Sequence, residues 1–338
     1  MLNVPQTEGS MKVAFFDTHE FERGEFEKAN AGTHEIIYLQ TRLTLLTAEL
    51  AKGCGAICCF VNDKVDRPVV EKLKELGIGL IALRAAGYNN VDLAACKDSG
   101  LTVMRVPEYS PHAVAEFAVA LLMTLNRKTH KAHNRVHDLN FSLEGLVGFD
   151  LAGKTVGVIG TGKIGRIFAK IMKGFDCRVL VSDLNADKAW AMQTGVSYVD
   201  NNTIFAEADV ISLHVPLTPE TKHLVSHEAF RKMKENVILI NTGRGALIET
   251  SALIKALKDK KIGGACLDVY EEEGGVFFSD LSEAGINDDL LARLITFPKV
   301  LITSHQGFLT TEALGNIAET TIANVTAFAA GKKTQTEV

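Results

Sequence analysis

The chain has 338 residues, room for about two domains of ordinary size, and its 46% hydrophobic and 23% charged content is that of a soluble globular protein. A net charge of -5 with no basic block argues against nucleic acid, so anionic partners must be small and locally bound. No uncharged run of about 18 apolar residues exists, so neither a transmembrane helix nor a membrane partner is expected.

Residues 1–10, "MLNVPQTEGS", lack the basic start and apolar core of a signal peptide and read as a floppy extension. From Met11, short apolar runs alternate with helical patterns. The runs are "KVAFFD" (12–17), "EIIYL" (35–39), "AICCFV" (56–61), "LIALRA" (80–85) and "TVMRV" (102–106). Between them, "RPVVEKLKELG" puts Val69, Val70, Leu73 and Leu76 on one helical face and stops at Gly77. Strand and helix in this rhythm imply a parallel sheet buried on both faces. Cys54, Cys58, Cys59, Cys96, Cys177 and Cys266 show neither C-x-x-C spacing nor a disulfide framework. They read as small buried residues in a reducing compartment, the cytoplasm.

One long helix is predicted over residues 110–133, with Ser110 as N-cap and Pro111 at its first position. It is apolar on more than half its circumference, which fits a helix divided between the core and a subunit interface. A second alternating set follows: "TVGVIG" (155–160), "RVLVSD" (178–183), "DVISLHV" (209–215), "VILINTG" (237–243), "ACLDVY" (265–270) and "VLITSH" (300–305). Helix then resumes after His305, and the tail "GKKTQTEV" is expected to fray.

The loop "GTGKIG" places Gly160, Gly162 and Gly165 in G-x-G-x-x-G spacing between the first strand of this second set and a helix. That is the context in which the motif binds a dinucleotide. The first glycine makes the tight turn, the second lets a pyrophosphate approach the backbone, and the third lets helix and strand pack closely. Asp183, closing the next strand, can bond both ribose hydroxyls of NAD and would repel the extra phosphate of NADP. The cofactor is therefore expected to be NAD.

Further contacts are expected from the later strand ends, "HVPLTPET", "NTGRG", "LDVYEEE" and "SHQGF". They also offer the groups that reduction of a ketone needs. Arg244 can bind a carboxylate in bidentate fashion, and His305 is a natural acid near neutral pH. A carboxylate from Glu271, Glu272 or Glu273 can pair with the imidazolium; the run itself does not choose among the three.

The order "GTGKIG", "HVPLTPET", "NTGRGALI", "DVYEEE", "SHQGF", with "LRAAGYNNVDL" and "VPEYSPHAVAE" in front, resembles the D-2-hydroxyacid dehydrogenase family, and most of all its D-lactate dehydrogenase branch. The resemblance covers residues 11 to about 330. It implies a catalytic set of Arg244, Glu273 and His305. It implies carboxylate-binding amides near Ala86 and Gly87 and substrate contacts from Tyr109, Arg244, His305 and Phe308. Cofactor contacts carry over to Lys163, Ile164, Asp183, Val215, Pro216, Thr221, Thr242, Gly243, Arg244 and Asp268. Two departures from the family pattern are visible. Phe117 stands where histidine is often found, and Gly307 where alanine is commoner, which is expected to loosen the turn that aims His305 and Phe308. His130, His133 and His137 share a helix face, but no carboxylate or cysteine completes a metal site there.

The expected fold is α/β, two Rossmann-like or flavodoxin-like domains with parallel sheets and the active site in the cleft between them. A discontinuous substrate-binding (catalytic) domain is assigned to residues 11–109 and 307–335, and an NAD-binding Rossmann domain to 110–306. The expected activity is reduction of a small 2-oxo acid, pyruvate to D-lactate, with NADH, by a homodimer or homotetramer. The alternatives are a reductase of a larger 2-oxo acid and an NADH-sensing corepressor-like binding protein.

Overall fold

The computed structural model of the protein describes residues 9–338, so nearly all of the extension expected at residues 1–10 lies outside the described residues. The chain divides into two compact units. One runs to Ser110 and resumes as Phe308–Val338; the other is Pro111–Gly307.

In the first unit, β1 (Lys12–Phe15), β2 (Glu35–Tyr38), β3 (Ala56–Cys59), β4 (Leu80–Leu83) and β5 (Thr102–Met104) form one sheet in the order β2-β1-β3-β4-β5. All four pairings are parallel, the flavodoxin arrangement. Helix Arg67–Glu75 covers one face through Val69, Val70 and Leu73. Its start is set by Asp66, whose side chain accepts from the Val69 N–H, and Gly77 follows its end at φ +85°. The opposite face, with Val13, Phe15, Cys58 and Leu80, packs on Ile317, Ala318, Ile322 and Val325 of the C-terminal helix Thr311–Ala329.

The tail does not fray as expected. Arg105 N–H donates to Thr336 O (3.0 Å), Val338 N–H donates to Val103 O (3.1 Å), and Glu337 bridges Met104 in antiparallel register. β5 is an edge strand whose outer peptide groups need partners, and the tail supplies them.

In the second unit, seven strands are all parallel: β6 (Thr155–Ile159), β7 (Arg178–Ser182), β8 (Ser197–Tyr198), β9 (Val210–Leu213), β10 (Ile238–Asn241), β11 (Gly264–Leu267) and β12 (Val300–Ile302). Their order, β12-β11-β10-β9-β6-β7-β8, is that of a dinucleotide-binding sheet extended by one strand. The order reverses between β6 and β9, and ligands of such sheets bind outside the carboxyl ends at that point. β8 has two residues, too short to show as an apolar run.

The long helix expected over 110–133 is two helices, Pro111–Arg127 and Thr129–His137. Lys128 between them is left-handed at φ +51°, which ends the first. The first buries Ala115, Ala118, Leu121 and Leu122 in the core of the second unit. The second buries no side chain. All six cysteines are buried and free.

Candidate active site

Two of the three loop glycines are sterically obligatory. Gly160 has φ +99°, and a Cβ there would lie 2.5 Å from His214 O; a Cβ on Gly165 would lie 2.0 Å from Gly160 O. Gly162 differs, because a Cβ there would meet nothing within 4 Å. Gly162 is the N-cap of helix Lys163–Gly174 and no side chain caps that end. Open space in front of uncapped amides and a positive helix end is what a pyrophosphate requires.

Asp183 follows β7. Its Oδ2 accepts from Thr161 N (2.6 Å) and Thr161 Oγ1 (3.0 Å), and its Oδ1 accepts from Asn185 N (2.9 Å). Burial acts to raise its pKa, but the bonds from Asn185 and Thr161 and the charge of Arg166 outweigh it. They hold the carboxyl below its usual 3.8, so it is ionised at neutral pH. Thr161 Oγ1 also meets the hydroxyl of Tyr198 on β8 (2.9 Å), so the strand missed in the sequence helps fix this corner.

The other expected cofactor residues fall on the neighbouring strand ends. Thr242 Oγ1 is buried with no hydrogen-bond partner, an orphaned polar atom of the kind a bound cofactor satisfies. Gly243 N–H donates to Asn241 Oδ1 (3.1 Å). Thr221 is an internal brace of its loop: its hydroxyl donates to Pro216 O (2.7 Å) and accepts from Thr218 N (2.8 Å). The peptide after His214, ending in Val215 N, is what crowds Gly160.

Arg244, Glu273 and His305 follow β10, β11 and β12, three adjacent strands. His305 Nδ1 lies 3.1 Å from Glu273 Oε1, and both side chains are about four-fifths buried, at 18% and 23% exposure. With the carboxylate as acceptor, Nδ1 carries a hydrogen and Nε2 is the nitrogen left for chemistry. Glu273 Oε2 accepts weakly from Tyr270 N (3.4 Å). Glu271 is occupied elsewhere by His223 and Thr250, and Glu272 is exposed. Of the three carboxylates, Glu273 is therefore the one bonded to His305. The half-buried Arg244 guanidinium donates to Gly243 O (2.8 Å), and among the described residues no carboxylate pairs with it.

His305 is left-handed at φ +53°, a conformation non-glycine residues adopt only when held. Asp268, 1% exposed, does the holding. Its Oδ1 accepts from Thr303 Oγ1 (2.6 Å) and Gln306 N (2.8 Å), its Oδ2 from Gly307 N (2.8 Å), and its carbonyl from His305 N (2.7 Å). The carboxylate faces this turn, and the turn is firmly tied at Gly307, not loosened as expected. The two family departures are neighbours in space: a Cβ on Gly307 would lie 3.3 Å from Phe117 Cδ1.

In the first unit, Ala86 and Gly87 follow β4, and Arg105 Nη1 donates to Ala86 O (2.8 Å). The strand end is anchored by buried Arg84, whose Nε and Nη2 grip Glu22 at 2.8 and 3.0 Å. The ring of Phe308 lies 6.3 Å from Tyr109 and 6.4 Å from both Phe60 and Phe21, centroid to centroid. Phe21 and Phe60 were not singled out in the sequence, where isolated aromatics carry no signal of convergence.

The model of the D-isomer specific 2-hydroxyacid dehydrogenase NAD binding domain matches residues 119–307. The chain belongs to that family. Its second unit is thus an NAD-binding domain and the protein an NAD-dependent dehydrogenase. Among other members, the chain is 50% identical to the D-lactate dehydrogenase of Escherichia coli, across 97% of this chain and 100% of that protein. It superposes on the pyruvate reductase of Chlamydomonas reinhardtii with a TM-score of 0.91 at 40% identity, covering 96% and 98% of the two chains. For D-2-hydroxyisocaproate dehydrogenase the TM-score is 0.83 at 31% identity, covering 97% and 99%. Among the described residues no helix is long and apolar enough to cross a membrane.

Proposed function

We propose that this dehydrogenase is a D-lactate dehydrogenase that reduces pyruvate to D-lactate with NADH, reversibly. The observation that carries the substrate is the 50% identity to the Escherichia coli enzyme over the full length of that protein. The chemistry is carried by the bonded Glu273–His305 pair and by Arg244, which pairs with no carboxylate among the described residues.

Bound NADH supplies the hydride. Arg244 holds the substrate carboxylate and polarises the carbonyl. His305 Nε2 gives its proton to the carbonyl oxygen as negative charge develops there, and in lactate oxidation it takes the proton back. Glu273, on Nδ1, orients the ring and favours its protonated form. Amides near Ala86 and Gly87 add to carboxylate binding, and the rings of Tyr109 and Phe308 border the methyl group. Asp183 holds the ribose hydroxyls, and the amides at Lys163 and Ile164 receive the pyrophosphate. Thr242, Gly243 and the loop from Val215 to Thr221 line the remainder. In this reading the enzyme is cytoplasmic and a homodimer or homotetramer.

The test is NADH oxidation with a panel of 2-oxo acids. The expected order of kcat/KM is pyruvate, then 2-oxobutyrate, then phenylpyruvate. A methylene in an apolar pocket is worth only ~1–3 kcal/mol, so selectivity among short chains is partial. A preference for phenylpyruvate would overturn the lactate assignment while leaving the proton chemistry in place. Absence of turnover with every acid would leave a binding protein.

A further inference from the structure

Arg244 and the acidic segment carrying Glu273 leave different strands, and one residue outside both segments bonds to each. His223 N–H donates to Ala246 O (2.8 Å), two residues past Arg244. The same stretch continues the contact, with Val225 N–H on Leu247 O (3.0 Å) and Glu249 N–H on Val225 O (3.1 Å). His223 Nε2 meets Glu271 Oε1 at 2.5 Å, two residues before Glu273. The other oxygen, Oε2, accepts from Thr250 N (3.1 Å) and Thr250 Oγ1 (2.8 Å), just past the Arg244 turn. His223 is left-handed at φ +55°. That backbone presents its N–H to one segment while its ring faces the other. The two segments also abut at Gly245, where a Cβ would lie 1.9 Å from Tyr270 O.

We propose that His223 is a positioning residue which, through Glu271 and Thr250, locks the Arg244 turn and the Glu273 segment into one register. The inference rests on the reading of Arg244 as the carboxylate anchor and Glu273 as the partner of His305. The side chains of His223 and Glu271 are engaged with each other and with Thr250, and neither belongs to the proposed catalytic set. Their effect on the reaction passes through the distance between anchor and acid.

The test compares His223→Leu, which lacks a donor, with His223→Gln, whose amide can still donate to Glu271. Measured on the intact enzyme are kcat and KM for the 2-oxo acid that the parent reduces. NADH affinity is read by fluorescence, and the affinity of the NADH complex for oxamate, an unreactive carboxylate, by inhibition. His223→Leu should lower kcat/KM by about 10- to 100-fold and weaken oxamate, since small misplacements of aligned groups carry penalties of that size. NADH affinity should hold, and His223→Gln should recover most of the loss. Where His223→Leu fails to fold, Thr250→Val, which removes one donor to Glu271, should show a smaller loss of the same kind. Parental kcat/KM and oxamate affinity in the folded variants would overturn the inference. So would NADH affinity that falls in step, or His223→Gln no better than His223→Leu. Failure of the underlying reading looks different: the parent itself would not bind oxamate or reduce any 2-oxo acid.

Discussion

Gly307→Ala adds a single carbon at the tightest point of the turn that carries His305. The new Cβ would stand 2.9 Å from Asp268 Oδ2 and 3.3 Å from Phe117 Cδ1. The first distance is below any ordinary carbon–oxygen contact, and Asp268 cannot swing clear. Thr303, Gln306 and Gly307 all donate to it at 2.6–2.8 Å. The turn must open by a few tenths of an ångström, stretching the Gly307 bond and shifting His305. Overpacking of this kind costs ~1–3 kcal/mol. Alanine offsets ~0.4–1 kcal/mol by restricting the unfolded chain, and Gly307 is not among the residues with positive φ, so no backbone strain is added. The net loss should be about 1–2 kcal/mol, or a Tm lower by roughly 2–8 °C for a domain of this size. Because the displaced group is the proposed proton donor, kcat should fall on the order of tenfold. Thermal unfolding and steady-state pyruvate reduction read both. Phe117→His in the same background should restore part of the loss, with a coupling of at least about 0.5 kcal/mol. Parental Tm and kcat in Gly307→Ala would refute the steric argument, and strictly additive losses would refute the pairing of the two positions.

Three further outcomes are expected. His305→Gln should keep NADH affinity and lose ~10²–10⁴-fold in kcat, the usual cost of a missing general acid; near-parental turnover would remove His305 from the mechanism. Asp183→Ala should raise kcat/KM with NADPH relative to NADH, because a carboxylate ionised at neutral pH no longer repels the 2′-phosphate. A parent that already prefers NADPH would defeat that assignment. His214, bonded through Nε2 to Ser212 Oγ (2.8 Å), has its pKa pushed by burial from 6.5 to about 4. The fold favours the neutral ring, so this contribution is complete above pH 6.5 and is lost as pH falls toward 4. His214→Asn should flatten the change in urea midpoint across that window, and parallel profiles for variant and parent would count against it.

Much of this architecture was legible because period and punctuation agree. Each apolar run overlaps a strand, most of which begin at its first residue, and Gly77 follows a helix end where capping chemistry places it. The glycine loop was legible because only glycine fits at 160 and 165. What was missed depends on contacts distant in sequence. Nothing in "LNRKTHK" foretells a left-handed Lys128, and a polar tail gives no sign that β5 has an open edge. At the site, the choice of Glu273 over its neighbours needed a resemblance. His223 passed unnoticed because half of its function is a backbone N–H, which any residue type possesses. The proximity of Phe117 to Gly307 was invisible as well: each departure was noted separately, and only folding brings residues so far apart within reach.

The placement of Pro111–Gly307 inside the first unit reverses the usual order of assembly on the ribosome. Domains generally fold as they emerge, N-terminal first. Here β1 to β5 emerge early, yet Ile317, Ala318, Ile322 and Val325, which cover one face of their sheet, are synthesised only after the whole nucleotide-binding unit. The nascent first unit therefore carries an uncovered apolar sheet face while the second unit completes itself. A chain cut short after Gly307 would contain a finished nucleotide-binding unit fused to an adhesive, half-covered sheet. The vulnerable moment in the life of this enzyme is the interval between the two, when a holding chaperone has the most to bind.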